Sequence, residues 1–275
     1  MPTVRAMFSP FEAHSQSWEP LTLQQILYRP IPNLGFSDRW LLRALALLGR
    51  AGVRVISGLE FVDPANDPFI LVLNHSTRRE SLLVPAALLL HRGGRPIHFM
   101  ADWNFRLVPG VGLIYGRAQT ITVTRKSARP RLLNALKPWY LQPLPAVERA
   151  RSRLLSGRSV GIFPEARVNR DPVRLLRGRT GAAFLSLETG LPIIPAGIYL
   201  PDAEPERASQ RAMLEIRIGA PLKPPPLARS RASISDLRAW HATIMAEIAR
   251  LSGKAWIHGG GQQRCAAMPL SPHAG

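Results

Sequence analysis

Cysteine is almost absent from this sequence. Cys265 is the only one in 275 residues, which excludes an internal disulfide and any metal site built from cysteines alone. A reducing compartment such as the cytoplasm suits such a chain. The seven histidines are scattered without ligand spacing, so we expect no bound metal.

Long hydrophobic runs are also missing. The most apolar windows are residues 40–48, interrupted by Arg43, and residues 81–90. Neither approaches the ~20 apolar residues of a spanning helix, and residues 1–18 lack the apolar core of a secretory signal. Any membrane association is therefore expected to be peripheral.

Negative charge is scarce. Lysine and arginine total 36 against 18 aspartates and glutamates, a net charge of +18, and only four of these cations are lysines. So positive a surface attracts polyanions. The partner is then a nucleic acid, an anionic lipid, a phosphorylated substrate or an acidic carrier protein, and composition does not choose among them.

The rest of the composition, 46% hydrophobic and 20% charged, is that of a globular protein. We divide the chain into an N-terminal arm at residues 1–37, which holds five prolines, a single domain at residues 38–255 and a disordered tail at residues 256–275.

Short β-rich runs alternate with helical stretches through this domain. Strands are expected at 53–56, 69–73, 97–100, 121–123, 160–163, 193–199 and 213–218, and helices near 38–48, 80–90, 147–156, 180–189 and 234–251. The alternation predicts an α/β fold with a mixed, mostly parallel sheet flanked by helices. Ser233 and Asp236 have the spacing of a capping box, and Ile234 begins an apolar stripe along the last helix.

A histidine and a carboxylate follow the buried strand 69–73. His75 comes two residues after the strand and Glu80 five residues later. If a tight turn leads into a helix starting near residue 78, Glu80 can accept a hydrogen bond from one ring nitrogen of His75. That bond fixes the tautomer and leaves the other nitrogen as a base. No serine completes a triad, so the nucleophile has to come from the substrate.

A second strand, 160–163, ends in Pro164 and Glu165, with Arg167 just beyond. Nine arginines and three carboxylates lie between residues 147 and 181, which suits an anionic substrate, although a solvated face explains most of these arginines equally well. Arg125 ends another strand, where its fork of donors is placed to bind phosphate. A surface arginine is the alternative there.

Taken in order, these segments resemble the glycerolipid acyltransferase family, whose best-known members acylate lysophosphatidic acid. Its N-H-x-x-x-x-D block matches Asn74-His75 with Glu80, and its proline-glycine segment matches Pro109-Gly110-Val111-Gly112. The arginine of its second block matches Arg125. Its F-P-E-G-T-R block matches Phe163-Pro164-Glu165, and its P-I-x-P block matches Pro192-Ile193-Ile194-Pro195. The resemblance covers about residues 40 to 220.

The chain departs from this pattern at several positions. Glu80 replaces the family's aspartate, and Gln119 and Ala166 replace glycines. A positive φ at Ala166 would be strained by roughly 1–2 kcal/mol. In ungapped register Arg167 and Val168 replace threonine and arginine. If the alignment instead carries a one-residue deletion, Arg167 matches the family's arginine. We prefer this gapped alignment because valine cannot bind phosphate.

The resemblance implies transfer of a fatty acyl group from a thioester, acyl-CoA or acyl carrier protein, to a hydroxyl of a lysophospholipid, most simply lysophosphatidic acid. His75, held by Glu80, would be the catalytic base. Arg125 and Arg167 would hold the acceptor's phosphate, and Glu165 would bind its glycerol portion or support the arginines. The thioester is a co-substrate, and no other cofactor is implied.

Three alternatives stay open at this point. The chain could acylate another acceptor such as a lyso-aminolipid, it could be an acyltransferase-like protein without turnover, or it could bind nucleic acid. Its arginines are spread over helices and loops, and no nucleic-acid-binding motif is present. The resemblance therefore implies a lysophospholipid, an acyl thioester and an anionic membrane surface as partners, and no nucleic acid. It implies a cytoplasmic protein bound peripherally to the inner face of the cell membrane, through arginines and either the 40–48 helix or the N-terminal arm.

Overall fold

The computed structural model describes residues 22–50, 52–108, 110–124, 126–128, 130–201, 213–226 and 232–258. The strands are β1 Val53–Ser57, β2 Ile70–Leu73, β3 His98–Asp102, β4 Ile121–Val123, β5 Val160–Ile162, β6 Ile193–Tyr199 and β7 Leu214–Ile218. The α-helices are α1 Leu23–Tyr28, α2 Phe36–Gly49, α3 Glu80–His91, α4 Val111–Arg117, α5 Ala146–Leu155, α6 Gly181–Thr189 and α7 Ile234–Ser252.

The strands form one seven-stranded sheet in the order β1-β7-β6-β2-β5-β3-β4. Every neighbouring pair is parallel except β6 and β7, which run antiparallel. The predicted α/β fold with a mixed, mostly parallel sheet is confirmed.

Both faces of the sheet are covered, as a mostly parallel sheet requires. Along β2, Leu71 and Leu73 point into one core that includes Val84 and Leu88 of α3. The alternate residues of β2, Ile70 and Val72, point into a second core formed with α5, α6 and α7. Strand β2 is therefore buried on both faces and lies at the centre of the fold.

Helix α7 has the predicted capping box, in which Ser233 and Asp236 cap each other. Trp240, Ile244 and Ile248 of its apolar stripe are buried in the second core. Ile234 was expected in this stripe, but it is 69% exposed. As the first residue of the helix, it lies beyond the part that packs.

Residues at both ends of the described chain pack into the cores. In the arm, Ile26 and Ile31 are buried in a third core with Leu42 and Leu90, while residues 1–21 lie outside the described ranges. At the other end, the expected tail begins with Trp256, which packs against the second core. Residues 259–275 of that tail are likewise outside the described ranges.

Three segments between β3 and α5 were not predicted as helical. They are a 3-10 helix at Trp103–Leu107, α4 and a long 3-10 stretch at Arg131–Tyr140. Glycines at 112 and 116 and Pro138 obscure the helical pattern in the sequence. None of the helices in the described ranges is both long and apolar enough to cross a membrane.

The register of the central strands determines where the polar loops meet. Strands β2 and β5 pair in parallel with Leu71 opposite Gly161 and Val72 opposite Ile162. Their carboxyl ends are therefore adjacent, which brings the loop after β2 next to the loop after β5. Clefts at the carboxyl ends of such strands are the usual ligand sites of open α/β sheets.

Candidate active site

His75 and Glu80 form the hydrogen bond that their spacing suggested. His75 Nδ1 lies 2.6 Å from Glu80 Oε1, and Thr77 Oγ1 donates to the other carboxylate oxygen at 3.3 Å. Helix α3 begins at Glu80 itself, so a short turn returns the carboxylate to the ring. The Nδ1–H bond leaves the lone pair of a neutral imidazole on Nε2.

Glu80 is fully buried. Burial raises the pKa of its carboxyl, and the hydrogen bond and charge interaction with His75 oppose that rise. The buried carboxylate thus depends on the imidazole for stabilisation of its charge.

Asn74 fixes the start of this loop to the sheet. Its side-chain Nδ2 donates to the carbonyl of Ile198 at 3.1 Å, and its Oδ1 accepts from the N–H of Ile198 at 2.6 Å. The last backbone pair between β2 and β6 is Leu73 with Ala196. The amide of Asn74 therefore continues that pairing with side-chain atoms, and the backbone is free to turn out of the sheet at His75.

Glu165 has contacts other than those expected for a substrate ligand. Its Oε2 accepts from the backbone N–H of His75 at 2.8 Å. Its Oε1 accepts from Asn169 Nδ2 and from the N–H of Leu176, each at 2.8 Å. The carboxylate holds protein groups, so the structure gives it a positioning role toward His75 where the sequence suggested glycerol binding or support of the arginines.

Aromatic rings form the wall beside the histidine. The Phe163 ring centroid lies 4.7 Å from that of His75 and 5.8 Å from that of Phe99. Phe99 lies so close to β5 that a Cβ at Gly161 would come within 2.5 Å of its ring. Glycine at position 161 therefore permits this stacking, and the rings restrict the imidazole's orientation.

A cavity of about 2030 Å³ lies beside His75. Among the described residues it is lined by eight cationic side chains and the carboxylate of Asp102; the cations are Arg78, Lys126, Arg131, Arg149, Arg167, Arg170, Arg177 and Arg179. Arg167, on the loop after β5, is one of these lining residues. Apolar walls include Phe105, Leu133 and Leu185. The cavity suits an anionic, amphipathic ligand.

Arg125, the other expected phosphate ligand, lies outside the described ranges. Its neighbour Lys126 lines the cavity and donates from Nζ to the carbonyl of Ala166 at 2.9 Å. This bond joins the loop after β4 to the loop after β5.

The two positions where glycine is replaced both adopt positive φ. The angle is 56° at Ala166 and 50° at Gln119. The backbone thus keeps the left-handed conformation that glycine adopts without strain, and each side chain costs roughly 1–2 kcal/mol there. The predicted strain at Ala166 is present.

Sequence reasoning missed two residues of the site, Asn169 and Lys254. Asn169 binds Glu165 through its side chain and donates its backbone N–H to the carbonyl of His75 at 2.6 Å. Lys254 Nζ donates to Ser76 Oγ at 3.0 Å from the segment after α7. Nothing in the local pattern around either residue signals a role, because their partners are distant in sequence. In the described part of the chain, no group of three or more histidine, cysteine or acidic side chains is placed to hold a metal ion.

A family model described as "Acyltransferase" matches residues 54–199, which is more than half of the chain. The chain belongs to the acyltransferase family. The matched region of this acyltransferase includes His75, Glu80, Glu165 and Arg167, while Lys254 lies beyond it.

The acyltransferase also resembles a solved structure. The crystal structure of the 1-acyl-sn-glycerophosphate (LPA) acyltransferase PlsC from Thermotoga maritima matches with a TM-score of 0.52 and 17% sequence identity. The match covers 82% of this chain and 86% of that one. At this identity the likeness concerns the fold. No curated protein matches the chain.

Proposed function

We propose that this acyltransferase moves a fatty acyl group from acyl-CoA or acyl carrier protein to the hydroxyl of lysophosphatidic acid, giving phosphatidic acid. The observation that carries the proposal is the oriented His75–Glu80 pair at the wall of a cavity with eight cationic side chains and one carboxylate. The pair supplies a base, and the cavity supplies a place for a phosphorylated acceptor.

His75 Nε2 takes the proton from the acceptor hydroxyl as its oxygen attacks the thioester carbonyl carbon. The new C–O bond forms and the C–S bond breaks when the tetrahedral intermediate collapses. The imidazolium then gives its proton to the departing thiolate. Glu80 stabilises that imidazolium through the Nδ1–H bond, and no acyl-enzyme is formed.

Arg167 and Arg125 hold the acceptor's phosphate in this proposal. Arg167 lines the cavity, and its guanidinium offers paired donors to phosphate oxygens. The apolar walls accept the acyl chains. Asp102 is the only carboxylate among the described lining residues, so the field in the cavity favours an anionic head group.

An anionic membrane surface supplies the acceptor. Four exposed apolar side chains lie beside the cavity and form what we term the rim: Leu132, Trp139, Leu141 and Leu144, which are 54% to 80% exposed. Leu144 and Arg131 also line the cavity, so a bilayer contacted by the rim would face the site. Helix α2 also exposes Trp40, but no residue of α2 lines the cavity.

The test is thioester-dependent acylation of a panel of lysolipids by the purified protein. Lysophosphatidic acid should be the best acceptor, and Arg167→Ala should raise its KM tenfold or more without changing the KM of the thioester, since a charge-assisted bond is worth roughly 1.5–3 kcal/mol. Arg125→Ala should do the same. Arg238→Ala, which removes an exposed arginine of α7, is the matched control.

A phosphate-free lysolipid should be a poor substrate for the wild type and should lose little further in Arg167→Ala. Normal use of lysophosphatidic acid by both arginine variants, with a lyso-aminolipid preferred, would replace the proposed acceptor. No transfer with any donor or acceptor would reject the activity itself.

A further inference from the structure

Lys254 follows α7, 179 residues after His75 in the chain, and its side chain reaches the loop that holds His75. After α7 the chain turns at Gly253, and the next residues run beside the loop that follows β5. Ala255 donates its N–H to the carbonyl of Val173 at 2.7 Å and accepts from the N–H of Leu175 at 2.9 Å. These backbone bonds fix the segment, so the lysine side chain enters the interior at a defined place.

The Lys254 side chain is held inside the protein by two hydrogen bonds. The residue is 7% exposed, and its Nζ donates to Ser76 Oγ at 3.0 Å and to the carbonyl of Asp171 at 2.7 Å. Ser76 directly follows His75. The carbonyl of Asp171 belongs to the loop that Asn169 connects to His75. One ammonium group therefore joins both loops that hold the histidine.

Three carboxylates interact electrostatically with this ammonium. Burial lowers the pKa of Lys254, and Glu165, Glu80 and Asp171, in that order, raise it. Two of these carboxylates, Glu80 and Glu165, are themselves buried and contact His75 through its ring and its backbone. A buried ammonium is stabilised only when opposite charge and hydrogen-bond acceptors compensate its desolvation. The same charge stabilises the carboxylates in return.

We propose that Lys254 is a positioning residue for the catalytic base, a buried counter-ion to Glu80 and Glu165 that holds Ser76 and Asp171 against the histidine loop. The catalytic part of this inference rests on the proposed function. Lys254 acts through Ser76, Asp171 and the two carboxylates.

The electrostatic consequence has a definite sign. A positive charge near the His75–Glu80 pair disfavours proton binding by both members. Removing that charge lets the pair bind protons more readily, so its titration moves to higher pH. The charged groups around the pair are Glu165 and Arg167 on the loop after β5, Asp171, Lys254 after α7 and Arg78 on its own loop, and of these the proposal concerns Lys254.

The experiment compares Lys254→Met, which keeps the side chain's length without its charge, with Lys254→Arg and with Lys223→Met. Lys223 is exposed, so Lys223→Met removes the same charge from the surface. In Lys254→Met, the NMR titration of the His75 ring should move up by at least half a pH unit, and kcat at neutral pH should fall about tenfold. The KM of the acceptor should stay within about twofold. Lys254→Arg should restore most of the wild-type titration.

A titration in Lys254→Met that coincides with the wild type and with Lys223→Met overturns the inference. The wild-type protein supplies a second measurement that needs no variant. The Lys254 side chain, followed by NMR through its ε-carbon, must be charged at pH 7, and a neutral amine there also overturns the inference.

The ring titration needs no substrate, so this inference and the proposed function fail separately. A shifted titration together with an absence of acyl transfer in the wild type would reject the proposed function and retain the counter-ion. Normal transfer with an unshifted titration would do the reverse.

Discussion

The carboxylate of Glu165 accepts a hydrogen bond of 2.8 Å from the backbone N–H of His75, 90 residues earlier in the chain. Asn169 returns a bond from its own N–H to the carbonyl of His75. The histidine is thus held at both of its backbone polar groups by one loop. The segment that contains Glu165 and Asn169 therefore fixes the backbone of the segment that contains His75.

This relationship predicts the behaviour of Glu165→Gln. A carboxamide has one acceptor oxygen, so it cannot serve the N–H groups of both His75 and Leu176 and the amide of Asn169. We expect a loss of stability of about 1–3 kcal/mol and a lower kcat, with the acceptor's KM almost unchanged. Urea unfolding and steady-state kinetics measure these quantities. Glu188→Gln, at an exposed position on α6, should stay within about 0.5 kcal/mol of the wild type. A raised KM with unchanged stability would instead indicate contact between Glu165 and the acceptor.

The proposed base predicts a large effect on the chemical step. His75→Ala should lower kcat by ~10²–10⁴-fold, the range typical of general-base loss, while the circular dichroism spectrum stays unchanged. Glu80→Gln should lower it less, because the ring nitrogen remains. His258→Ala, which removes an exposed histidine, is the control. Near-normal turnover in His75→Ala would remove this residue from the mechanism.

Glycine at position 166 should stabilise the protein. Because Ala166 has a φ of 56°, Ala166→Gly relieves left-handed strain and should raise the free energy of unfolding by about 0.5–1 kcal/mol. The same substitution at the exposed helical residue Ala246 should lower it by about 1 kcal/mol. Two parallel urea titrations give the two values, and effects of the same sign would contradict the strain.

His98 predicts a loss of stability in mild acid. Burial lowers the pKa of His98 to about 4, and the charges of Arg153 and Arg158 act in the same direction. Between this value and the ordinary pKa of ~6.5 the unfolded chain binds more protons at His98 than the folded protein does. Stability is therefore lost as the pH falls from about 6.5 toward 4.

The measurement is urea unfolding of the wild type and of His98→Gln at pH 7 and pH 5. His98→Gln should lose about 1–2 kcal/mol less than the wild type over this interval, after allowance for screening by solvent. Equal losses in both proteins would show that another group is responsible.

The rim predicts how the protein binds membranes. Trp139 is 80% exposed, so Trp139→Ala should weaken binding to vesicles containing anionic lipid about tenfold, as expected for a large apolar side chain that inserts. Binding should also fall steeply with salt. Sedimentation with vesicles measures both effects. A larger effect of Trp40→Ala would place the contact on α2.

Local pattern was sufficient for much of the fold. The bounds of β4 and β6 coincide with the predicted strands, and Glu80 reaches His75 as the five-residue spacing suggested. These features depend on periodicity and on a single turn. Helix α4 and the 3-10 stretch Arg131–Tyr140 escaped prediction because their glycines and proline are poor helix formers.

The contacts that hold the site were beyond the reach of local pattern. Asn74 binds a strand 124 residues away, and Lys254 binds Ser76 across 178 residues. Only the packing of the sheet brings these groups together. The contacts of Glu165 could not be predicted for the same reason, since a carboxylate at a strand end looks the same in sequence whether it faces a ligand or a backbone amide.

The anchoring of His75 separates two parts of the protein that are free to change independently. The backbone of its loop is held by Asn74, Glu165, Asn169 and Lys254, none of which lines the cavity. Arg167 lines the cavity from another loop, and substitutions at such arginines can therefore alter the acceptor without displacing the base. This division makes the protein a suitable scaffold for engineering transfer to new alcohols.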